Sequence, residues 1–158
     1  MKLARIGAAG PSWRADDLSG AGAAVSPGRW NQEGEKVIYA APTLAMAVLE
    51  TSAHIVDAGL PLNKYVISIE VPDALWKRRT VITAGALAQD WDAIPCGRTS
   101  IQAGSDWYRS GASVLLELPS VIVPEESVVL INATHADAAR ITARIVRRFQ
   151  YNLLFRGH

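Results

Sequence analysis

The sequence predicts an α+β domain, and three observations carry that expectation. Apolar residues alternate with period two in separated short segments, most clearly at 36–41 and 64–71. Between and after them lie stretches with helical spacing and candidate caps, at 43–56 and 99–109. The two kinds follow one another irregularly, without the repeated strand–helix–strand unit of a parallel sheet. At 158 residues the chain is most economically one domain, long enough to bury a real core.

Taken in order, residues 2–6 form a first short strand. The segment from there to Gly28 is rich in Gly, Ala, Ser and Pro and reads as an irregular loop. A loop of that length inside a compact domain points to a function. Residues 36–41 form a strand with Val37 and Tyr39 on one face and Ile38 and Ala40 on the other. Pro42 stops it. Thr43 then caps a helix to about Val56, whose inward stripe is Leu44, Ala45, Val48, Leu49 and Ser52. Residues 64–71 make a strand with Tyr65, Ile67, Ile69 and Val71 on one side, ended by a Pro72-Asp73 turn. A short helical patch follows at 84–89. Thr99 or Ser100 caps a helix to Arg109 that Gly111 closes. The apolar runs 113–118, 121–123 and 128–132 are β-branched and punctuated by proline, which favours strands. A small helix at 136–142 and a strand at 145–151 complete the chain.

Composition removes several classes of function. The net charge of +1 asks for neither nucleic acid nor an anionic membrane. Cys96 is the one cysteine, so no internal disulfide forms and a reducing compartment is expected. Lys2 comes too early for a signal peptide, and no apolar run approaches the roughly 20 residues of a membrane span. The expectation is a soluble, cytoplasmic protein. His54, His135 and His158 lack zinc spacing, so no metal is expected. Neither a G-x-x-x-x-G-K-[ST] loop nor a G-x-G-x-x-G turn is present, which argues against nucleoside triphosphates and Rossmann-bound cofactors.

Three groups stand out: the guanidinium of Gly28-Arg29-Trp30-Asn31, the ring of Tyr39, and the carboxylate of Ala47-Val48-Leu49-Glu50. An arginine, an aromatic ring and a carboxylate from successive short elements suit an anionic dinucleotide whose sugar becomes a cation. With Ala4-Arg5-Ile6, His54, Gly104-Ser105-Asp106-Trp107, Leu118-Pro119-Ser120-Val121, and Leu130-Ile131-Asn132 followed by His135, the chain resembles the RES domain family over nearly its whole length. Pro27 stands where a second glycine is common, and the 149–155 tail lacks the Asp and Arg often seen there.

The resemblance implies an ADP-ribosyltransferase-like, diphtheria-toxin-like fold, with a mixed sheet core and flanking helices. It implies a toxin of a toxin–antitoxin pair, silenced by an Xre-type helix-turn-helix antitoxin that covers the active site. The implied activity is consumption of NAD+ by hydrolysis or phosphorolysis, with phosphate as a co-substrate in the second case and no resident cofactor. Some members instead transfer ADP-ribose to a protein, and a non-catalytic NAD- or partner-binding module is the reading from another class. The Arg140, Arg144, Arg147 and Arg148 cluster reads as a solvated face or a contact for an acidic antitoxin segment.

Nicotinamide leaves as a neutral base, so a single carboxylate suffices where most glycosidases need an acid–base pair. Glu50 is the candidate to stabilise the oxocarbenium ion; by residue type alone it is also a surface glutamate paired with His54. Arg29, with Arg5, offers cations to the pyrophosphate or a ribose, and each alone is also a solvated arginine. Tyr39 offers a ring on which nicotinamide can stack and a free hydroxyl, or else it is a core tyrosine. Ser120 can bond the nicotinamide amide or a ribose, or satisfy a turn. Asn132 can read a polar edge of the ligand, or cap the turn after it.

Overall fold

The computed structural model describes residues 1–55 and 60–154. Among the described residues, seven strands and four helices follow in the order β1 (Lys2–Ala8), α1 (Ala21–Val25), β2 (Val37–Ala40), α2 (Leu44–Ser52), β3 (Lys64–Glu70), α3 (Asp73–Lys77), β4 (Thr80–Val81), α4 (Arg98–Ser110), β5 (Leu115–Pro119), β6 (Ser127–Asn132) and β7 (Thr142–Phe149). Short 3-10 turns occupy Ala84–Ala86, Ala136–Arg140 and Tyr151–Leu153. The α+β class expected from the pattern is the class observed. No helix among the described residues is long and apolar enough to cross a membrane.

The strands form two sheets. One has the order β1-β3-β7 and is antiparallel; the other has the order β2-β6-β5-β4, with only β4 and β5 parallel. Just past the end of β2 the backbone joins them, where Ala4 and Ala41 exchange N–H···O bonds of 2.8 and 2.9 Å. Period-two alternation then sorts the apolar residues into layers. Leu3, Ile67 and Ile69 of the first sheet meet Ile38, Leu115, Val129 and Ile131 of the second in one buried cluster. The opposite face of the second sheet carries Val37, Leu116, Leu118, Val128 and Leu130, packed under Trp30, Trp91 and Trp107. The remaining face of the first sheet, Ile6 and Val66, is covered by Met46 and Ala47 of α2 with Phe149 and Tyr151. Each such aliphatic side chain taken fully out of water contributes about 1.5–3 kcal/mol.

Several expectations need correction. The glycine-rich segment before Gly28 contains α1, which begins at Gly20 in a left-handed conformation (φ 72°). Helix α2 has the predicted Thr43 cap, its Oγ1 accepting the Met46 N–H at 3.2 Å, but ends at Ser52; Val56 lies outside the described residues. Its inward stripe is turned by about one residue: Met46 and Ala47 are buried, whereas Ala45 and Leu49 are exposed. The reason is tertiary, because β1 and the C-terminal aromatic pair wrap that side of the helix. Neither Thr99 nor Ser100 caps α4, whose N-cap is Gly97; Thr99 instead donates to Asp90 at 2.7 Å. Gly111 closes the helix as expected, at φ 60°. Asp73 opens α3 rather than a simple turn.

The run 121–123 is no strand. Pro119 and Pro124 bracket it, and the Ser120 hydroxyl competes for its amides, so it folds as a turn between β5 and β6. Strand β7 begins at Thr142, three residues before the predicted start, and Tyr151 belongs to the 3-10 turn after it. Phe155 and His158 lie outside the described residues.

Helix α4 lies on the loop after Gly28 at a distance only glycine permits. A Cβ on Gly104 would stand 1.7 Å from the Trp30 carbonyl oxygen, a backbone atom. One turn on, Trp107 fills the sheet face and donates to the Ser113 hydroxyl at 3.0 Å. Gly104→Ala therefore forces α4 and the Trp30 loop apart. A loss of about 1–3 kcal/mol is expected from such overpacking, read as a lower urea midpoint at unchanged slope.

Candidate active site

Glu50 leaves the buried side of α2. Met46 and Ala47 lie four and three residues before it, so the same helix face that anchors on the sheet carries the carboxylate. Opposite it stands Ser120, 1% exposed, immediately after β5. Its Oγ accepts the N–H groups of Ile122 and Val123, both at 3.1 Å, and donates to Glu50 Oε1 at 2.5 Å. The two lone pairs are thus taken by backbone, and the one hydroxyl proton has a single direction left. The Ser120 hydroxyl is directed at Glu50 rather than outward, where it was expected from the sequence to meet an amide or ribose. The turn-satisfying role is met by the same oxygen that donates to Glu50. No ion pair joins Glu50 to His54 among the described residues, and His54 is exposed.

Arg29 and Tyr39 form a second group. Arg29 Nη1 donates to the carbonyls of Trp91 and Ala93 at 3.1 and 2.9 Å, tying the loop to the segment before α4. Trp30 stacks on Trp91, with ring centroids 6.0 Å apart. The Tyr39 hydroxyl accepts the Trp30 N–H at 3.0 Å and donates to Asn31 Oδ1 at 2.7 Å. That hydroxyl is not free for a ligand, contrary to expectation. Burial, partly offset by the Trp30 N–H, pushes the phenol well above the ordinary tyrosine range, so it remains a donor at neutral pH. Gly28 lies against the ring, where a Cβ would come within 2.7 Å of Tyr39 Cζ.

Arg5 stands apart on β1, donating to the Asp17 carbonyl at 3.1 Å. Burial pulls its guanidinium down, against the opposing pull of Asp17, and Arg5 in turn adds to the burial that lowers Lys64. Two cations therefore share that end of the first sheet. Asn132 is placed elsewhere. Its side chain is 2% exposed, donates to the Tyr108 carbonyl at 3.3 Å, and accepts from the N–H and hydroxyl of Thr134 at 3.0 and 2.8 Å. Ser120 pairs at the level of Glu126, so Asn132 lies six residues along β6, roughly 20 Å away. Asn132 holds a turn, the alternative left open by the sequence.

Two further residues order this loop: Glu35, not singled out from the sequence, and Ser105, read there only as part of the Gly104-Ser105-Asp106-Trp107 motif. The Glu35 carboxylate, 7% exposed, accepts the Ser105 hydroxyl at 2.7 Å on either oxygen and the Gln32 N–H at 2.8 Å. The signal was the pair of small residues Gly104-Ser105 on a helix face opposite a buried loop. The structure thus groups Glu50 with Ser120, and Arg29 with Tyr39, four residues apart along β6, or roughly 13 Å. Two surface concavities, along residues 10–18 and between residues 82–88 and α4, are lined by none of the six candidates.

A family model described as the RES domain matches residues 2–153. The chain belongs to the RES domain family. Among RES relatives, a protein of Sphingobium sp. (strain YBL2) named Prs ADP-ribosylating toxin is 50% identical over 148 residues, 94% of this chain and 92% of that one. A Toxin Res of Photorhabdus laumondii is 32% identical over 119 residues, covering 75% and 74% of the two chains. In fold, the RES chain is similar to the crystal structure of the M. tuberculosis MbcT–MbcA toxin–antitoxin complex, with a TM-score of 0.65 at 15% identity over 92% of this chain and 84% of that one. The RES chain thus shares its mixed α+β architecture with that toxin–antitoxin structure.

The Ser120 geometry has a measurable consequence. Ser120→Ala strands two backbone amides and releases Glu50 in one step. A loss of about 1–3 kcal/mol in unfolding free energy is expected, measured by urea denaturation.

Proposed function

We propose that this chain is an ADP-ribosylating toxin that breaks the nicotinamide–ribose bond of NAD+, passes ADP-ribose to a protein, and is silenced by a cognate antitoxin. Its curated relatives are named toxins, and this chain is a toxin of the same family. The observation that carries the chemistry is the Glu50 carboxylate, aimed from the buried side of α2 and held by a hydroxyl with no other outlet for its proton.

In this reading the C–N bond to nicotinamide breaks with its electron pair passing to the pyridinium nitrogen, so the leaving group departs neutral. Positive charge develops on the ribose ring, and the pre-oriented Glu50 carboxylate stabilises it without reorganising. Arg29, tethered through one nitrogen, offers the rest of its planar fork to the pyrophosphate or a ribose, and Arg5 adds a second cation. The Tyr39 ring supports the ligand or the loop that meets it. A nucleophilic side chain of the acceptor then attacks the anomeric carbon and gives its proton to Glu50 or solvent. The separation of the two groups along β6 suits an elongated ligand. Protein transfer is favoured over hydrolysis or phosphorolysis by the relative that shares half of the sequence and is named for ADP-ribosylation of Prs. Prs is accordingly the first acceptor to test. The antitoxin is proposed to be of Xre type; a small helix-turn-helix protein found encoded beside this chain would support that, and its absence would count against it.

NAD+ labelled in its adenylate portion separates the outcomes. Retention of label on purified Prs supports transfer. Free ADP-ribose establishes hydrolysis, ADP-ribose phosphate establishes phosphorolysis, and saturable binding with no nicotinamide release leaves a binding module. Glu50→Ala is expected to abolish label transfer and growth arrest on induction while the protein stays folded by circular dichroism. Wild-type rates in that variant remove Glu50 from the chemistry.

A further inference from the structure

An arginine binds an anion more tightly when the backbone that carries it is ordered before the ligand arrives, because the ordering cost is then not taken from the binding free energy. Arg29 sits in a loop, not in a strand or helix. The residues on either side of it are nevertheless both pinned. Gly28 donates its N–H to Asn31 Oδ1 at 2.9 Å, and Trp30 donates its N–H to the Tyr39 hydroxyl at 3.0 Å. That hydroxyl in turn donates to the same Oδ1 at 2.7 Å.

Asn31 is the common element. Its side chain is 1% exposed, and its Nδ2 donates to the carbonyls of Ala23 and Gln32 at 2.9 and 3.0 Å, with Glu35 O a longer contact at 3.4 Å. Two lone pairs and two N–H groups are all in use, which fixes the amide orientation without ambiguity. Through them α1, β2 and the Arg29 loop become one rigid piece. The Glu35–Ser105 pair and the close approach of Gly104 clamp the same loop to α4. Among the described residues only Nη1 of the half-buried Arg29 makes a hydrogen bond, which leaves the Nε–Nη2 edge of the fork without a hydrogen-bond partner there.

We propose that Asn31 is a positioning residue for NAD+ binding: its buried amide, with the Tyr39 hydroxyl, holds the peptide on both sides of Arg29 so that the free edge of the guanidinium is set before ligand arrives. This rests on the reading that NAD+ is the substrate. Asn31 itself touches no ligand, and the Tyr39 hydroxyl works by the same route.

Steady-state kinetics of the full chain with NAD+, with purified Prs present as acceptor, test it, on wild type, Asn31→Ala, Tyr39→Phe, Arg29→Ala, and each of the first two combined with Arg29→Ala. Asn31→Ala and Tyr39→Phe are each expected to raise KM for NAD+ roughly tenfold, the loss of about one buried hydrogen bond's worth of ordering, with kcat within about twofold. In the Arg29→Ala background neither should raise KM further. A merely structural role would instead reduce kcat or the active fraction at unchanged KM, and either result overturns the proposal, as does a KM effect that persists without Arg29. Should Asn31→Ala fail to fold, Tyr39→Phe and its combination with Arg29→Ala decide alone, because the ring is kept. A wild-type protein that turns over no NAD+ overturns the substrate reading and this inference together. Normal turnover with a KM indifferent to both variants overturns this inference only.

Discussion

The hydrogen bond from Ser120 to Glu50 joins two parts of the chain seventy residues apart, and the site is built around its direction. A glutamate near the end of a nine-residue helix has several rotamers and little reason to choose among them. The choice is made by a hydroxyl whose lone pairs are both occupied by the N–H groups of Ile122 and Val123. That in turn requires the β5–β6 connection to fold as a turn, with Pro119 and Pro124 excluding a continued strand. In the proposed reaction a carboxylate so held needs no reorientation as positive charge develops on the ribose, which is what electrostatic catalysis asks of it.

The second sheet supplies the common frame. Strand β6 pairs with β2 on one side and β5 on the other, so Tyr39 and Ser120 are set in register by backbone hydrogen bonds rather than by side-chain packing. The Ala4–Ala41 bridge then fixes where α2 begins relative to the first sheet, and the aromatic pair Phe149–Tyr151, edge to face at 4.8 Å, closes the far side of the helix. Rotating α2 by the one residue that separates observed from predicted burial would turn Glu50 away from Ser120. Packing of Met46 and Ala47 therefore does more than stabilise the helix.

Polar groups are placed with the same economy in the loop that bears Arg29. Asn31, Glu35, Tyr39 and Ser105 are all buried or half-buried, and among the described residues no buried side-chain nitrogen or oxygen lacks a partner. A loop that buries a carboxylate and a primary amide is stable only with every such group satisfied, because an unpaired one costs more than a paired one contributes. The close contacts at Gly28 and Gly104 follow from that demand, since both bring backbone or ring against the loop where a side chain would stand.

Much of this was legible in the sequence. Alternation in 36–41 and 64–71 locates β2 and β3 because one face of each must be buried, and Thr43 and Gly111 mark real helix ends because their chemistry is local. Arg29, Tyr39, Glu50 and Ser120 were marked as site candidates by residue type and by the family resemblance, although each type also has an ordinary structural reading. Tertiary structure alone decided what those groups face. It turned Ser120 toward Glu50 rather than outward, closed the Tyr39 hydroxyl into its loop, and sent Asn132 to the far end of β6. Each of these outcomes depends on which polar groups lie within about 3 Å, some nearby in the chain and others, such as Glu50 for Ser120 and Tyr108 for Asn132, far along it, and such pairings leave no periodic trace in the sequence.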